Sequence, residues 1–386
     1  MAISSERKSV MTKKILILGG YGNFGGLICD FLVKRTDIEL IIVGRDKNKA
    51  NRFCESLKAN GATCQLSTVV IDVHSIHLLQ ALQEIHPYMV IHTCGPFQGQ
   101  DYHVPRACIM SGSHYIDLAD DRRFVCDFYT LDELAKQNEV IAISGASSVP
   151  GMSSVVIDHY AKEFATMDTI DFCIAPGSNV EIGEATLKGI LSYMGQPFQC
   201  WEHGKWINRY GWMDSEQVNL GLTLGTRWLA NVDIPDLELF PDRYPGIQTV
   251  RFRAGHELGL VHLSMDLMAK LSRLGWFGRW DKLSGILFKA GQCIKTFGSD
   301  CGGMVIRLSG INHQQQQTRL TWRLIAKNAV GPRIPTISSI ILANQILNGV
   351  NLEPGARPCL GMYTLDEFNQ VADTWGIYQE KEQTIG

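Results

Sequence analysis

Lys14-Ile15-Leu16-Ile17-Leu18-Gly19-Gly20-Tyr21-Gly22-Asn23-Phe24-Gly25-Gly26 decides how the rest of this chain is read. A short apolar strand runs into a glycine-rich turn, and a helix follows with Leu27, Ile28, Phe31 and Leu32 at helical spacing. Gly20, Gly22 and Gly25 fit G-x-G-x-x-G, and the strand before and helix after separate a dinucleotide site from a chance match. One glycine makes the tight turn, the second lets the backbone approach a pyrophosphate, and the third lets helix and strand pack closely. The helix's first N–H groups and its dipole favour the diphosphate charge. Gly20, Tyr21, Gly22, Asn23, Phe24 and Gly25 are therefore expected to hold the cofactor.

The second strand, Glu39 to Gly44, ends where an NAD enzyme carries an acid for the ribose hydroxyls. Here Gly44, Arg45 and Asp46 stand in that place. A guanidinium binds phosphate in two-pronged fashion, so Arg45 favours NADP over NAD, with Asp46 turning inward as the competing reading. A third strand, Gln65 to Val73, closes on Asp72-Val73, where the acid either faces the adenine edge or caps the next helix. The fourth, Met89 to Thr93, breaks at Cys94-Gly95-Pro96-Phe97. Ligands sit beyond the carboxyl ends of parallel strands, so this loop is expected at the nicotinamide, with Phe97 in the core as the alternative.

His114 to Leu118 and Val140 to Ile143 complete six strands alternating with helices, a doubly wound α/β sheet. Asp117 and Asp120 fall at a strand's carboxyl end and are the candidate acid/base residues, with helix capping as the competing role. Ser147, Pro150 and Gly151, in the small-residue loop after the sixth strand, are candidates for substrate binding. So is Arg253, beside Arg251 and His256, because arginine pairs well with carboxylates. Cys94 has no visible base to activate it.

Composition excludes several classes. Eleven cysteines without a C-x-x-C pair argue against a disulfide framework or zinc ribbon, and for reduced thiols in the cytoplasm. His74 and His77 lack further ligands, so no metal is expected. A net charge of −3 gives no global field for nucleic acid. No apolar run reaches the length of a membrane span, and Met1 to Thr12 reads as a polar, loose arm.

Beyond about Ile170 the texture changes to strands at Ile170–Ala175, Thr249–Arg253, Met304–Ser309 and Thr318–Ala326, the last two forming a hairpin. The stretch Leu263 to Leu287 sets Met268, Leu271, Leu274, Phe277 and Trp280 among basic residues. Such stripes are ordinarily packing faces; a membrane surface is the competing reading.

Gly20 to Gly25 with Gly44-Arg45, Cys94-Gly95-Pro96-Phe97, Tyr115-Ile116-Asp117-Leu118 and Gly145 to Gly151 resemble, in order and spacing, the saccharopine dehydrogenase-like (saccharopine reductase-like) oxidoreductases. The resemblance weakens through 160–300 and returns at Gly331 to Pro335 and Gly355 to Phe368. It implies a Rossmann domain (13–155 plus about 331–386) and a central α+β substrate and dimerisation domain (156–330), with C-terminal helices returning to the Rossmann half. It also implies NADP(H)-dependent hydride transfer at a C–N or C–O centre of an amino-acid-like small molecule. A homodimer is expected from how often such enzymes pair. The alternative is a non-catalytic NADP(H)-binding sensor or regulatory subunit.

Overall fold

Ile15, Leu16, Ile17 and Leu18 are all fully buried, because helices cover both faces of the strand they form. The computed structural model describes residues 12–180, 183–278 and 280–386, so the expected N-terminal arm, Thr12 apart, lies outside the described residues. The first half alternates regularly: β1 (Lys13–Leu18), α1 (Asn23–Leu32), β2 (Ile38–Gly44), α2 (Lys47–Ala59), β3 (Gln65–Val70), α3 (Leu78–Ile85) and β4 (Met89–His92). Then come α4 (His103–Met110), β5 (His114–Asp117), α5 (Arg122–Cys126), α6 (Asp132–Gln137) and β6 (Ile141–Ser144). The six strands lie parallel in the order β3-β2-β1-β4-β5-β6. This is the Rossmann order, and its direction reverses between β1 and β4, where a crevice opens beyond the strand ends. Leu18 stands beside Val43 of β2 and His92 of β4, so three strand ends come level there.

The chain leaves through α7 (Ser153–Ala161) into β7 (Phe164–Ala175), α8 (Glu184–Ser192), β8 (Pro197–Glu202), β9 (Lys205–Tyr210), β10 (Glu216–Asn219) and β11 (Thr226–Asn231). It continues with α9 (Asp236–Arg243), β12 (Thr249–Ala254), α10 (Gly259–Arg273), α11 (Ser284–Ile294), β13 (Gly302–Asn312) and β14 (Gln317–Ala326). A second, mixed seven-stranded sheet results, with β7 at its centre and β8–β9 a separate hairpin. The expected hairpin is β13–β14, paired from Gly302 with Ala326 to Ile311 with Gln317. Leu320, Trp322 and Leu324 are fully buried along one face of β14, as their alternation predicts.

The chain then returns. α12 (Ile334–Leu347) is apolar almost all round and packs on α1. β15 (Gly355–Pro358) adds a seventh parallel strand beside β6, and α13 (Leu365–Asp373) starts with a reciprocal Thr364–Glu367 capping box. One boundary needs correction. The last strand, β16 (Tyr378–Ile385), crosses back to pair with β14 in the second sheet, so the Rossmann part does not hold the chain to its end. Its mostly exposed, charged side chains suit an edge strand.

Asp236, at the start of α9, is fully buried. Ser153 Oγ donates to one carboxyl oxygen, and the other has no hydrogen-bond partner among the described residues. Burial pushes the carboxyl up to about 7 from its ordinary 3.8, against the pull of the Ser153 hydroxyl. The folded protein therefore holds an extra proton between those values, and stability falls as pH rises through that window. Asp236→Asn is expected to flatten this slope and to add about 1–3 kcal/mol in mildly alkaline buffer. Urea unfolding across pH measures both; an unchanged slope would contradict it.

Candidate cofactor site and cleft

The backbone leaves β1 through Gly19, whose φ of +79° suits glycine. Its N–H and that of Gly20 both donate to Val43 O, at 3.0 and 2.9 Å, locking the turn to β2. Gly22 N donates to Gly19 O at 2.8 Å and Gly22 becomes the N-cap of α1, with no side-chain cap and no acid in the first turn. The helix's first N–H groups are thus left for an outside anion. A Cβ on Gly25 would fall 2.2 Å from Gly19 O, so the third glycine is demanded by packing. A Cβ on Gly22 would meet only Gly19 O, at 3.1 Å, which leaves the space above it open to a diphosphate. Tyr21 and Phe24 pack against the core, whereas Asn23 is exposed.

At the end of β2, the Asp46 carboxylate turns back to accept Asn48 N at 2.9 Å and Lys49 N at 3.1 Å. Asp46 is the cap of α2 and does not turn inward. The Tyr21 ring covers Gly44, where a Cβ would come within 2.2 Å of it, and its hydroxyl accepts Asp46 N at 3.0 Å. This clamp leaves exposed Arg45 as the charged group between the strand end and the helix. The residues present therefore fit a 2′-phosphate better than a bare ribose diol. Asp72 is exposed and accepts His74 N at 3.0 Å, closing a turn that ends β3 three residues early, and the Val73 side chain is buried.

Beyond β4, Thr93 Oγ1 donates to Leu18 O at 2.8 Å, and Gln100 Nε2 donates to Cys94 O and Pro96 O at 3.0 and 2.7 Å. These bonds shape the loop so that Gly95 is exposed. Phe97 goes the other way: it is buried edge-on against His92, so it belongs to the core and not to the cleft. Burial pushes the Cys94 thiol up to about 12, with Arg45 pulling it down, so it is no nucleophile at neutral pH.

Asp117 is completely buried. One of its oxygens accepts Gly145 N at 2.8 Å, Ala119 N at 2.9 Å and Ser144 Oγ at 3.0 Å, tying β5 to the loop after β6. Burial pushes its carboxyl up to about 6 despite those donors. Tyr115, two residues away on the same face, has its hydroxyl 2.9 Å from Nδ1 of buried His92, which burial holds down to about 3 and hence neutral. The expectation of a catalytic Asp117 is corrected by this burial: a carboxylate with no exposed surface touches no substrate. Ser147, Pro150 and Gly151 are corrected likewise. All three are buried, Ser338 Oγ of α12 donates to Ser147 O at 2.8 Å, and a Cβ on Gly151 would strike Ser338. Arg253 is buried on the second sheet and bound to Asp171, with both oxygens at 2.7 Å, and to Glu216. Its charge is spent inside the protein.

Asp120 differs. It is open to solvent and accepts Gln98 Nε2 at 3.0 Å, and the surrounding protein raises its carboxyl above the ordinary range, with Gln98 opposing. Gln98 lines a cleft of about 450 Å³ with Pro96 and Gly99 on one wall and Lys188, Gly189, Ser192 and Asp281 on the other. The far wall is α8 and the turn before α11. Gly183, just before α8, approaches Asn23 of the glycine turn, where a Cβ would come within 2.9 Å of its amide. Gly189 approaches Gln98 as closely. The helix thus lies across the mouth of the crevice. None of the α8 side chains stood out in the sequence, since Glu184 to Ser192 is short and interrupted by Gly189.

Among the described residues no group of three His, Cys, Asp or Glu is placed to hold a metal, and no helix is long and apolar enough to cross a membrane.

Residues 15–143 match the family model described as the saccharopine dehydrogenase NADP binding domain. No curated protein matches the sequence. Among solved structures, apo histidine-tagged saccharopine dehydrogenase (L-Glu forming) from Saccharomyces cerevisiae superposes with a TM-score of 0.67 at 14% identity, covering 96% of this chain and 100% of that one. A short-chain type dehydrogenase/reductase from Mycobacterium ulcerans covers 34% of this chain and 66% of its own, with a TM-score of 0.27 at 16% identity. The N-terminal part is a Rossmann NADP-binding domain of the saccharopine dehydrogenase type. The whole chain has the saccharopine dehydrogenase-like fold.

Proposed function

We propose that this protein is an NADP(H)-dependent oxidoreductase that transfers hydride at a C–N or C–O centre of an amino-acid-like substrate. The observation that carries this reading is the cleft of about 450 Å³ between the loop after β4 and α8, next to the glycine turn. A dinucleotide on that turn supplies the hydride, and the protein orients it and places charge nearby. The uncapped start of α1 binds the diphosphate, Arg45 binds the 2′-phosphate, and Gly95 and Pro96 border the nicotinamide. Asp120, raised by its surroundings and steadied by Gln98, provides the proton that the substrate nitrogen or oxygen gains as its carbon gains hydride. Lys188 lines the same cleft as Gln98 and suits a substrate carboxylate. Asp117 acts from beneath as a positioning residue. The eleven cysteines are all free thiols, which supports a cytoplasmic setting.

NADPH deuterated at nicotinamide C4 is expected to label the newly formed C–H of a product when offered pairs of amino acids and 2-oxo acids, or aldehydes and ketones. Asp120→Asn should lower kcat by about 10²-fold with NADPH affinity kept. Asp117→Asn, which retains an acceptor for its three donors, should stay within about tenfold of the parent. NADPH binding without label transfer to any of these would sink the oxidoreductase reading and favour a regulatory NADP(H)-binding protein.

A further inference from the structure

α10 is apolar on more than one face: Met265 and Met268 pack against the core, and a row of leucines turns away from it. Its buried residues are His262, Asp266 and Ala269. His262 Nε2 lies 3.0 Å from Ser215 Oγ, which donates to Asp266 at 3.1 Å, and Asp266 pairs with Lys270, so a polar network faces the protein. The leucines face outward instead: Leu260, Leu263, Leu267 and Leu274 are exposed, Leu260 by 85%. The next segment continues the pattern. Trp276 and Phe297 are each 78% exposed, Ile286 is 70% exposed, and α11 buries only Ser284. Of the stripe expected to be a packing face, Met268 and Trp280 do pack against the core while Leu274 and Phe277 are exposed, and Leu260, Leu263 and Leu267 of α10 form a separate row that meets solvent. Monomers rarely expose so many large apolar side chains along one stretch of chain without a partner for them.

Charge says which partner. Arg273, Lys282 and Lys289 are exposed among these apolar side chains, whereas Lys270 is paired with Asp266. The acids of the segment point elsewhere, Asp266 being buried against Lys270 and Asp281 lining the cleft. A second copy meeting this face across a two-fold axis would set these bases against themselves. An anionic lipid surface accepts both halves of the pattern, the bases at the headgroups and the Trp, Phe and Leu side chains below them. We infer that the face formed by α10, the turn after it and α11 docks this protein on anionic bilayers. Since Asp281, in the turn between α10 and α11, lines the cleft, and α8 packs on that turn, docking sets the cleft mouth beside the lipid. The inference does not depend on which reaction the cleft performs.

Flotation of the full chain with phosphatidylcholine vesicles containing one-third phosphatidylserine tests it, with pure phosphatidylcholine vesicles as the comparison. Binding is expected on the anionic vesicles at low salt, falling about tenfold or more at high salt. Trp276→Ser with Phe297→Ser should lower it about tenfold or more, and Lys282→Glu with Lys289→Glu should do the same, each lysine counting for about fivefold. Unchanged NADPH affinity in both double variants would show that they are folded. No flotation of the parent at low salt overturns the inference, as does flotation that neither double variant reduces. A dimer in size-exclusion chromatography that Trp276→Ser with Phe297→Ser turns into a monomer would also overturn it, by showing a second copy on this face.

Discussion

Gly25→Ala is expected to abolish NADP(H) binding and to cost about 3 kcal/mol or more of stability. The added Cβ would lie 2.2 Å from Gly19 O and 2.8 Å from both Gly19 C and Thr93 Oγ1. None of these can retreat. Gly19 and Gly20 are held by hydrogen bonds to Val43 O, and Thr93 Oγ1 donates to Leu18 O. Relief would have to come from moving α1 away from β1, which removes the helix start from the diphosphate. Gly22→Ala makes the control, since its Cβ meets only Gly19 O at 3.1 Å. It should melt near the parent but bind NADPH weakly, because the methyl occupies the approach of the diphosphate. Thermal unfolding and fluorescence titration read both; a Gly25→Ala protein with the parent's melting point would contradict this packing.

Arg45→Ala should weaken NADPH binding by about 30- to 150-fold, equivalent to about 2–3 kcal/mol for a charge-assisted pair, and leave NADH almost unchanged. The reason lies in its neighbours. Asp46 is committed to capping α2, and the Tyr21 clamp on Gly44 fixes where the strand ends. Arg45 is then the cation at the place where a 2′-phosphate emerges. Equal losses for both cofactors would mean that Arg45 supports the fold of the turn rather than reading the phosphate.

The parts of this protein that could be read from sequence are those set by short-range chemistry. Ile15 to Gly26 contains its own strand, turn and helix start, and the regular alternation up to Ile143 dictates a parallel sheet whose order places the crevice. Depth was not readable. Asp117 and Asp120 both fall at the end of one strand and differ by three positions, yet one is fully buried and the other is exposed and bonded to Gln98 of the cleft wall. Ser147 to Gly151 has the grammar of a ligand loop but is roofed by α12, nearly two hundred residues later in the chain. Arg253 looked available because its partners, Asp171 and Glu216, come from other strands. Met268 and Trp280 of the aromatic–basic stretch pack on the core as their spacing suggests, but the exposed row of Leu260, Leu263 and Leu267 was not readable, because helical periodicity reports amphipathicity and not which side is turned inward.

The NADPH complex, solved by crystallography with the parent protein, tests most directly whether this cleft is the site of reaction. The diphosphate should lie over the N–H groups that begin α1, the 2′-phosphate on Arg45, and nicotinamide C4 between Gly95-Pro96 and α8, facing Gln98 and Asp120. A dinucleotide bound with its nicotinamide outside that cleft, or with no pocket at C4 bounded by α8, would contradict it.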